Sequence, residues 1–177
     1  DGKAHMEAGG DKSLIKGLRG AEGAETCLTC HDVTTEHISY RDGVHASTEA
    51  VSCLTCHSIH EPQAREPKLL AVRQTKLCAS CHPGQASSME SKAFTHRLDR
   101  GGFTCATCHQ PHGRKGEGTL KLTKQGEMPC LTCHNDKRGP FVYEHVGPTT
   151  AGMTGGCLTC HEPHGSNNPK MLTRSRI

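Results

Sequence analysis

All twelve cysteines of this chain fall into six C-x-x-C pairs, and a histidine follows each pair at once. The sites are Cys27/Cys30/His31, Cys53/Cys56/His57, Cys78/Cys81/His82, Cys105/Cys108/His109, Cys130/Cys133/His134 and Cys157/Cys160/His161. C-x-x-C-H is the attachment sequence of haem c. Two thiols one helical turn apart can each form a thioether to a porphyrin vinyl group, and the adjacent histidine is then held against the iron as its proximal ligand. The reading is therefore six haems c, bound through twelve cysteines.

Two other uses of C-x-x-C explain less. Structural zinc couples such pairs but does not require a histidine after each one. A disulfide scaffold spreads its partners across a fold, and a C-x-x-C closed on itself is a redox dithiol with no role for the histidine. Composition points the same way. The chain has no Trp, two Tyr, three Phe and 33% hydrophobic residues, cysteines included, over 177 residues. That is too little for an ordinary core, so stacked haems must replace it. The expected fold is mostly irregular chain with short α-helices at the attachment sites and essentially no β-sheet.

The formal charge of +3 gives no reason to expect nucleic acid as a partner, and twelve propionates with six ferric centres would bring it to about −3. No apolar run approaches the roughly 18 to 20 residues of a membrane span. The opening "DGKAHMEAGG" has neither a basic nor an apolar signal region. The expectation is an exported protein, periplasmic or extracellular, whose signal peptide is absent from this chain.

The attachment sites repeat in pairs. Odd sites begin at 27, 78 and 130 and even sites at 53, 105 and 157, so like sites recur every 51 or 52 residues. This divides the chain into a flexible leader (1–23) and three two-haem modules (24–66, 67–117 and 118–177) in one continuous haem-packed domain. Aliphatic, basic stretches open the modules: "KSLIKGL" from Lys12, "PKLLAVR" from Pro67 and "TLKLTK" from Thr119, with "PKMLTR" from Pro169 starting a further copy. They are the best helix candidates, the longest expected from Pro67 to Lys76.

Six of the eight remaining histidines recur with the modules. His45, His96 and His145 precede the even sites, and His60, His112 and His164 lie three residues after an even proximal histidine. Three residues span at most about 11 Å, too little to pass round a porphyrin to its far face. His60, His112 and His164 must therefore serve another haem. The expectation is the partner haem of the same module, at His31, His82 and His134, with His45, His96 and His145 on the haems at His57, His109 and His161. His5 and His37 stay unassigned, His37 being a rival to His45. Iron with two histidine ligands has no open position for a substrate, so the chain reads as an electron carrier and not an enzyme. The five methionines show no recurring position.

The paired motif, with "CLTCHEPHGSNNPKML" near one end and "GPFVYEH" before it, resembles the periplasmic multihaem electron-conduit cytochromes of the MtrA/DmsE type over about Cys27 to Leu172. The resemblance implies electron transfer in the periplasm or inside an outer-membrane porin toward extracellular acceptors, usually through ten haems in five modules. Six haems are encoded here. Partners are expected to be other redox proteins, copies of this chain or such a porin. A subunit of an extracellular cytochrome filament or of a larger redox complex is the alternative. A multihaem reductase would need a haem without a distal ligand or a lysine-type attachment motif, and neither is visible.

Overall fold

The computed structural model describes residues 2–14, 20–32, 37, 39–48, 50–59, 67–98, 102–113, 119–122, 128–139 and 156–175. Among the described residues six helices order the chain: α1 (Gly2–Glu7), α2 (Gly20–His31), α3 (Cys53–Cys56), α4 (Gln74–Ala79), α5 (Pro83–Ser91) and α6 (Cys105–Cys108). Short 3-10 turns punctuate the rest, at Lys12–Leu14, Tyr40–Asp42, Pro67–Leu69, Pro129–Thr132, Asn135–Lys137, Gly156–Thr159 and Pro169–Met171. Among the described residues there is no strand, only four isolated antiparallel bridges. The fold is mostly irregular with short helices.

The chain forms two compact units, Asp1–Ala71 with His112–Lys115, and Val72–Pro111 with Gly116–Ile177. In the first, α2 turns Ala24 and Leu28, one helical turn apart, onto Tyr40, with Ala46 and Cys53 against them. Glu25, on the same helix, takes both arms of the Arg41 guanidinium (Nε to Oε1 2.9 Å, Nη2 to Oε2 2.7 Å) and ties α2 to the Tyr40–Asp42 turn. In the second unit α4 packs on α5 and α6, and among the described residues Met89 and Leu131 are the buried hydrophobic ones. No large side chain among the described residues is fully enclosed, while Val44, Ile59 and Phe94 stay exposed. Side chains alone do not make an interior here.

Two expectations change. The aliphatic, basic stretches are not amphipathic helices. Lys12–Leu14 is one 3-10 turn, and the expected helix from Pro67 begins only at Gln74. Pro67–Leu69 and Pro169–Met171 are turns in which Lys68, Leu69, Lys170 and Met171 carry φ of 61°, 57°, 59° and 56°, and Thr119 in the third copy has 48°. The runs are too short to display a helical period, and their leucines enter bridges. The leader holds α1, where His5 Nδ1 donates to the Asp11 carbonyl (2.8 Å), and its boundary at 23 falls inside α2.

One backbone crossing is close enough to require glycine on both sides. A Cβ on Gly43 would sit 2.6 Å from Gly113 Cα, and one on Gly113 would sit 2.5 Å from the Ser39 carbonyl oxygen. Gly84, in the first turn of α5, has nothing within 4 Å of its Cβ position. Gly43→Ala is therefore expected to destabilise the folded protein by about 1–3 kcal/mol through overpacking. Gly84→Ala should stabilise it by roughly 0.5 kcal/mol through backbone entropy. Thermal melts of the two variants should shift in opposite directions.

Candidate haem attachment and axial ligand sites

Every C-x-x-C-H lies on one turn of helix. In α2 the motif forms the last turn. At each of the other five the histidine N–H donates to the carbonyl of the first cysteine, at 2.8 to 3.0 Å: His57 to Cys53, His82 to Cys78, His109 to Cys105, His134 to Cys130 and His161 to Cys157. Closing that turn puts positions i, i+3 and i+4 on one face, so both sulfurs and the imidazole serve one ligand. A signal passed over in the sequence starts two of these turns. In α3 and α6 the third-position threonine accepts from the preceding N–H, Ser52 to Thr55 Oγ1 and Thr104 to Thr107 Oγ1, both 3.0 Å.

All twelve cysteines carry unbridged thiols. Burial, then the neighbouring Cys27, pushes the Cys53 thiol up to about 11, and burial with Cys157 does the same to Cys130. Cys108 is also raised, by burial and then by Cys133. Redox dithiols work through a depressed pKa, so the shift runs opposite to that chemistry. Side-chain contacts also place neighbouring attachment sites side by side, Cys27 with Cys53 and Cys130 with Cys157. Thiols on one turn with a histidine beside them fit haem c. Among the described residues no three His, Cys, Asp or Glu side chains converge on a bare metal ion.

The protein does not enclose the two cysteines of a site equally. Cys30, Cys81, Cys133 and Cys160, the second cysteines of four sites, are exposed, whereas Cys56 and Cys108 are half-buried like the first cysteine of every site. Main-chain bonds hold these residues. Cys81 N–H donates to the Cys78 carbonyl at 3.2 Å, and the Cys160 carbonyl accepts from Thr173 N–H at 2.9 Å. Cys81 and Cys160 thus keep their place on the motif turn through the main chain.

The even sites share a second device. His57 bridges to Leu70, His109 to Leu120 and His161 to Leu172. At the first, Ser58 N–H donates to the Leu69 carbonyl (2.8 Å) and Ala71 N–H to the Cys56 carbonyl (2.9 Å). Two successive left-handed residues aim their carbonyls at the motif, and the Lys68 carbonyl takes the proton of His57 Nδ1 at 2.9 Å. His161 Nδ1 meets the Lys170 carbonyl in the same way at 2.8 Å. A carbonyl can only accept, so Nδ1 holds the hydrogen and Nε2 keeps the lone pair that a metal needs.

Four histidine pairs stand at a common spacing. Ring centroids lie 5.8 Å apart for His31 and His37, 5.9 Å for His57 and His112, 6.3 Å for His96 and His134, and 5.9 Å for His109 and His164. Imidazoles bonded at about 2.0–2.1 Å to opposite sides of one metal put their ring centres about 6 Å apart. His37 and His112 also touch, at 4.4 Å. Burial, and after it the His109 imidazole, holds His164 below the usual histidine range and favours the neutral, ligating form.

This pairing differs from the expected exchange within each module. His164 stands against His109, not His134, and His96 stands against His134, not His109. His112 lies beside His57, whereas the haem of His82 was expected. Reach excludes the near haem but leaves the direction open, and His112 and His164 come to lie beside the preceding even proximal histidine. His37, unassigned from sequence, lies six residues past His31, enough chain to round a haem edge at about 3.3 Å per residue. His45 sits half-buried in the turn after Tyr40–Asp42. His60 and His145 lie outside the described residues. Phe103, stacked on His96 at 5.0 Å and 6°, and the Pro163 carbonyl, accepting from His96 Nδ1 at 3.3 Å, carried no sequence signal.

One-turn C-x-x-C-H sites in tandem, with free thiols and facing imidazoles, define a multihaem c-type cytochrome. The profile of the family described as "doubled CXXCH motif" matches residues 45–87, 96–139 and 150–177, and the chain belongs to that family. It is also 34% identical over 150 residues to "Multiheme cytochrome MtrA" of Shewanella baltica (strain OS185), covering 82% of this chain and 43% of that relative. The chain thus spans less than half of that relative's length. The first two matched windows each join an even site to the next odd one, crossing the module boundaries read from the sequence. His96 and His134 fall within one such window.

The left-handed turns can be tested directly. A non-glycine residue at such φ costs about 1–2 kcal/mol, so Leu69→Gly should raise the melting temperature and leave the spectrum unchanged. Leu69→Pro cannot adopt positive φ and should release His57 Nδ1. The imidazole then becomes a weaker base, and a redox titration should find the haem at His57 at a higher potential.

Proposed function

We propose that this chain carries electrons through six haems c, one at each C-x-x-C-H, between redox proteins in the periplasm or at the cell exterior. Haem supplies a one-electron iron couple whose potential is set by its axial ligands and surroundings. Twelve cysteines fix the six positions. The observation that carries the reading is the set of four histidine pairs at 5.8 to 6.3 Å.

On this reading His37, His112, His164 and His96 are the distal ligands at His31, His57, His109 and His134. The positions at His82 and His161 are filled from His45, His60 and His145. Two imidazoles leave iron no place for a substrate, so the chain is a carrier and not a reductase. Adjoining thiols put the attached edges of successive haems together, and the short loops keep them there. The partners are other redox proteins. The resemblance to porin-borne cytochromes favours a porin or further cytochrome modules among them, and no described helix is long and apolar enough to cross a membrane.

Haem counting by the pyridine haemochrome spectrum, with the intact mass, should give six haems per chain, and five or fewer would defeat the count. His37→Ala should open one haem, the one bound through Cys27 and Cys30, and turn it high-spin. A fully low-spin variant would remove His37 from the ligand set. The ring planes predict more: they cross at 17° and 22° at His57 and His109 but at 67° and 60° at His31 and His134. Electron paramagnetic resonance of the oxidised protein should therefore resolve both rhombic and strongly anisotropic low-spin signals.

A further inference from the structure

We infer that the loop Pro163–His164–Gly165 sets the distal ligands of two haems at once, with Gly165 as the positioning residue. This rests on the ligand reading just given. His164 faces His109 at 5.9 Å. The carbonyl of the residue before it, Pro163, accepts from His96 Nδ1 at 3.3 Å, and His96 is the ring facing His134 at 6.3 Å. Consecutive residues of one loop thus act at two irons, as a ligand at one and as the anchor of a ligand at the other. Because Nδ1 of His96 is committed to that carbonyl, its Nε2 is the nitrogen left for iron.

The loop is pinned by backbone. Phe94 and Ser166 exchange both of their hydrogen bonds, at 3.0 and 2.9 Å, and Ala93 N–H donates to Asn167 Oδ1 at 3.3 Å. Gly165 lies at the centre of this seat with φ of +108°, a conformation essentially restricted to glycine. A Cβ there would meet Lys92 Cβ at 3.0 Å, Thr95 Cβ at 3.1 Å and Thr95 Oγ1 at 3.2 Å. Thr95 is bonded to His96, and Gly165 to His164. A side chain at 165 therefore pushes one ligand directly and the other through Thr95, while Phe103 stacked on His96 leaves that ring little room to follow. The other unit holds a similar seat, where Gly113, with φ of +100°, follows His112 and crosses Ser39–Gly43.

The test counts high-spin haems in oxidised holo-protein by electron paramagnetic resonance. Gly165→Ala should give two, His164→Ala one and His96→Ala one. Adding His96→Ala to Gly165→Ala should open no third haem. Gly102→Ala, at φ of +77° with nothing within 4 Å, should give none and so controls for backbone strain alone. If Gly165→Ala opens one haem or none, the coupling is overturned and the ligand reading stands. If His164→Ala or His96→Ala opens none, the ligand reading itself fails. Should Gly165→Ala yield no holo-protein, Asn167→Ala loosens the loop more gently. It should produce partial high-spin character at both haems in equal amounts, and a change at one haem only would overturn the inference.

Discussion

A histidine three residues past a proximal ligand cannot reach the far face of the same porphyrin, and the rest of this structure follows from that short reach. On the ligation proposed above, each such histidine serves a different haem from the one its neighbour holds. His164 lies against His109 and His112 against His57, so on that proposal the loop after one even site completes the even site before it. Ligation would then tie successive repeats together. A repeat cut out alone would lose a ligand at one end and leave a spare one at the other, as stacked repeats in general depend on their neighbours.

The second dependence is on backbone carbonyls. With no large side chain fully enclosed among the described residues, little side-chain packing is available to hold an imidazole at a fixed angle. The chain uses main-chain acceptors instead. Lys68 and Lys170 present carbonyls to His57 and His161, and Pro163 presents one to His96. Presenting two carbonyls in succession requires the left-handed pairs Lys68–Leu69 and Lys170–Met171, a strained arrangement tolerated where it sets the orientation of a ligand. Such bonds raise the basicity of an imidazole, so on the proposed ligation the geometry that holds the ring would also tune the iron.

The attachment residues were legible from spacing because their chemistry is local: two thiols and an imidazole within five residues need only one helical turn. The shortage of apolar residues likewise foretold irregular chain without sheet. Which imidazole rings come to lie together was not legible. Reach excludes a haem but does not choose among those left, and the choice is made by contacts far apart in sequence, such as Phe94 with Ser166. The P-K-L-L and P-K-M-L stretches misled for a related reason: four residues are too few to separate a helix face from a turn whose leucine joins a bridge. Gly113 and Gly165 were visible as letters, yet their need for glycine exists only once Ser39 or Thr95 is packed against them.

The proposed electron path depends on which two histidines flank each iron. An iron-resolved structure of the holo-protein, from anomalous scattering or electron cryomicroscopy, reads this directly. It should place one iron between His109 and His164 and another between His96 and His134. Iron held by His134 and His164 together, the exchange within one module, would contradict it.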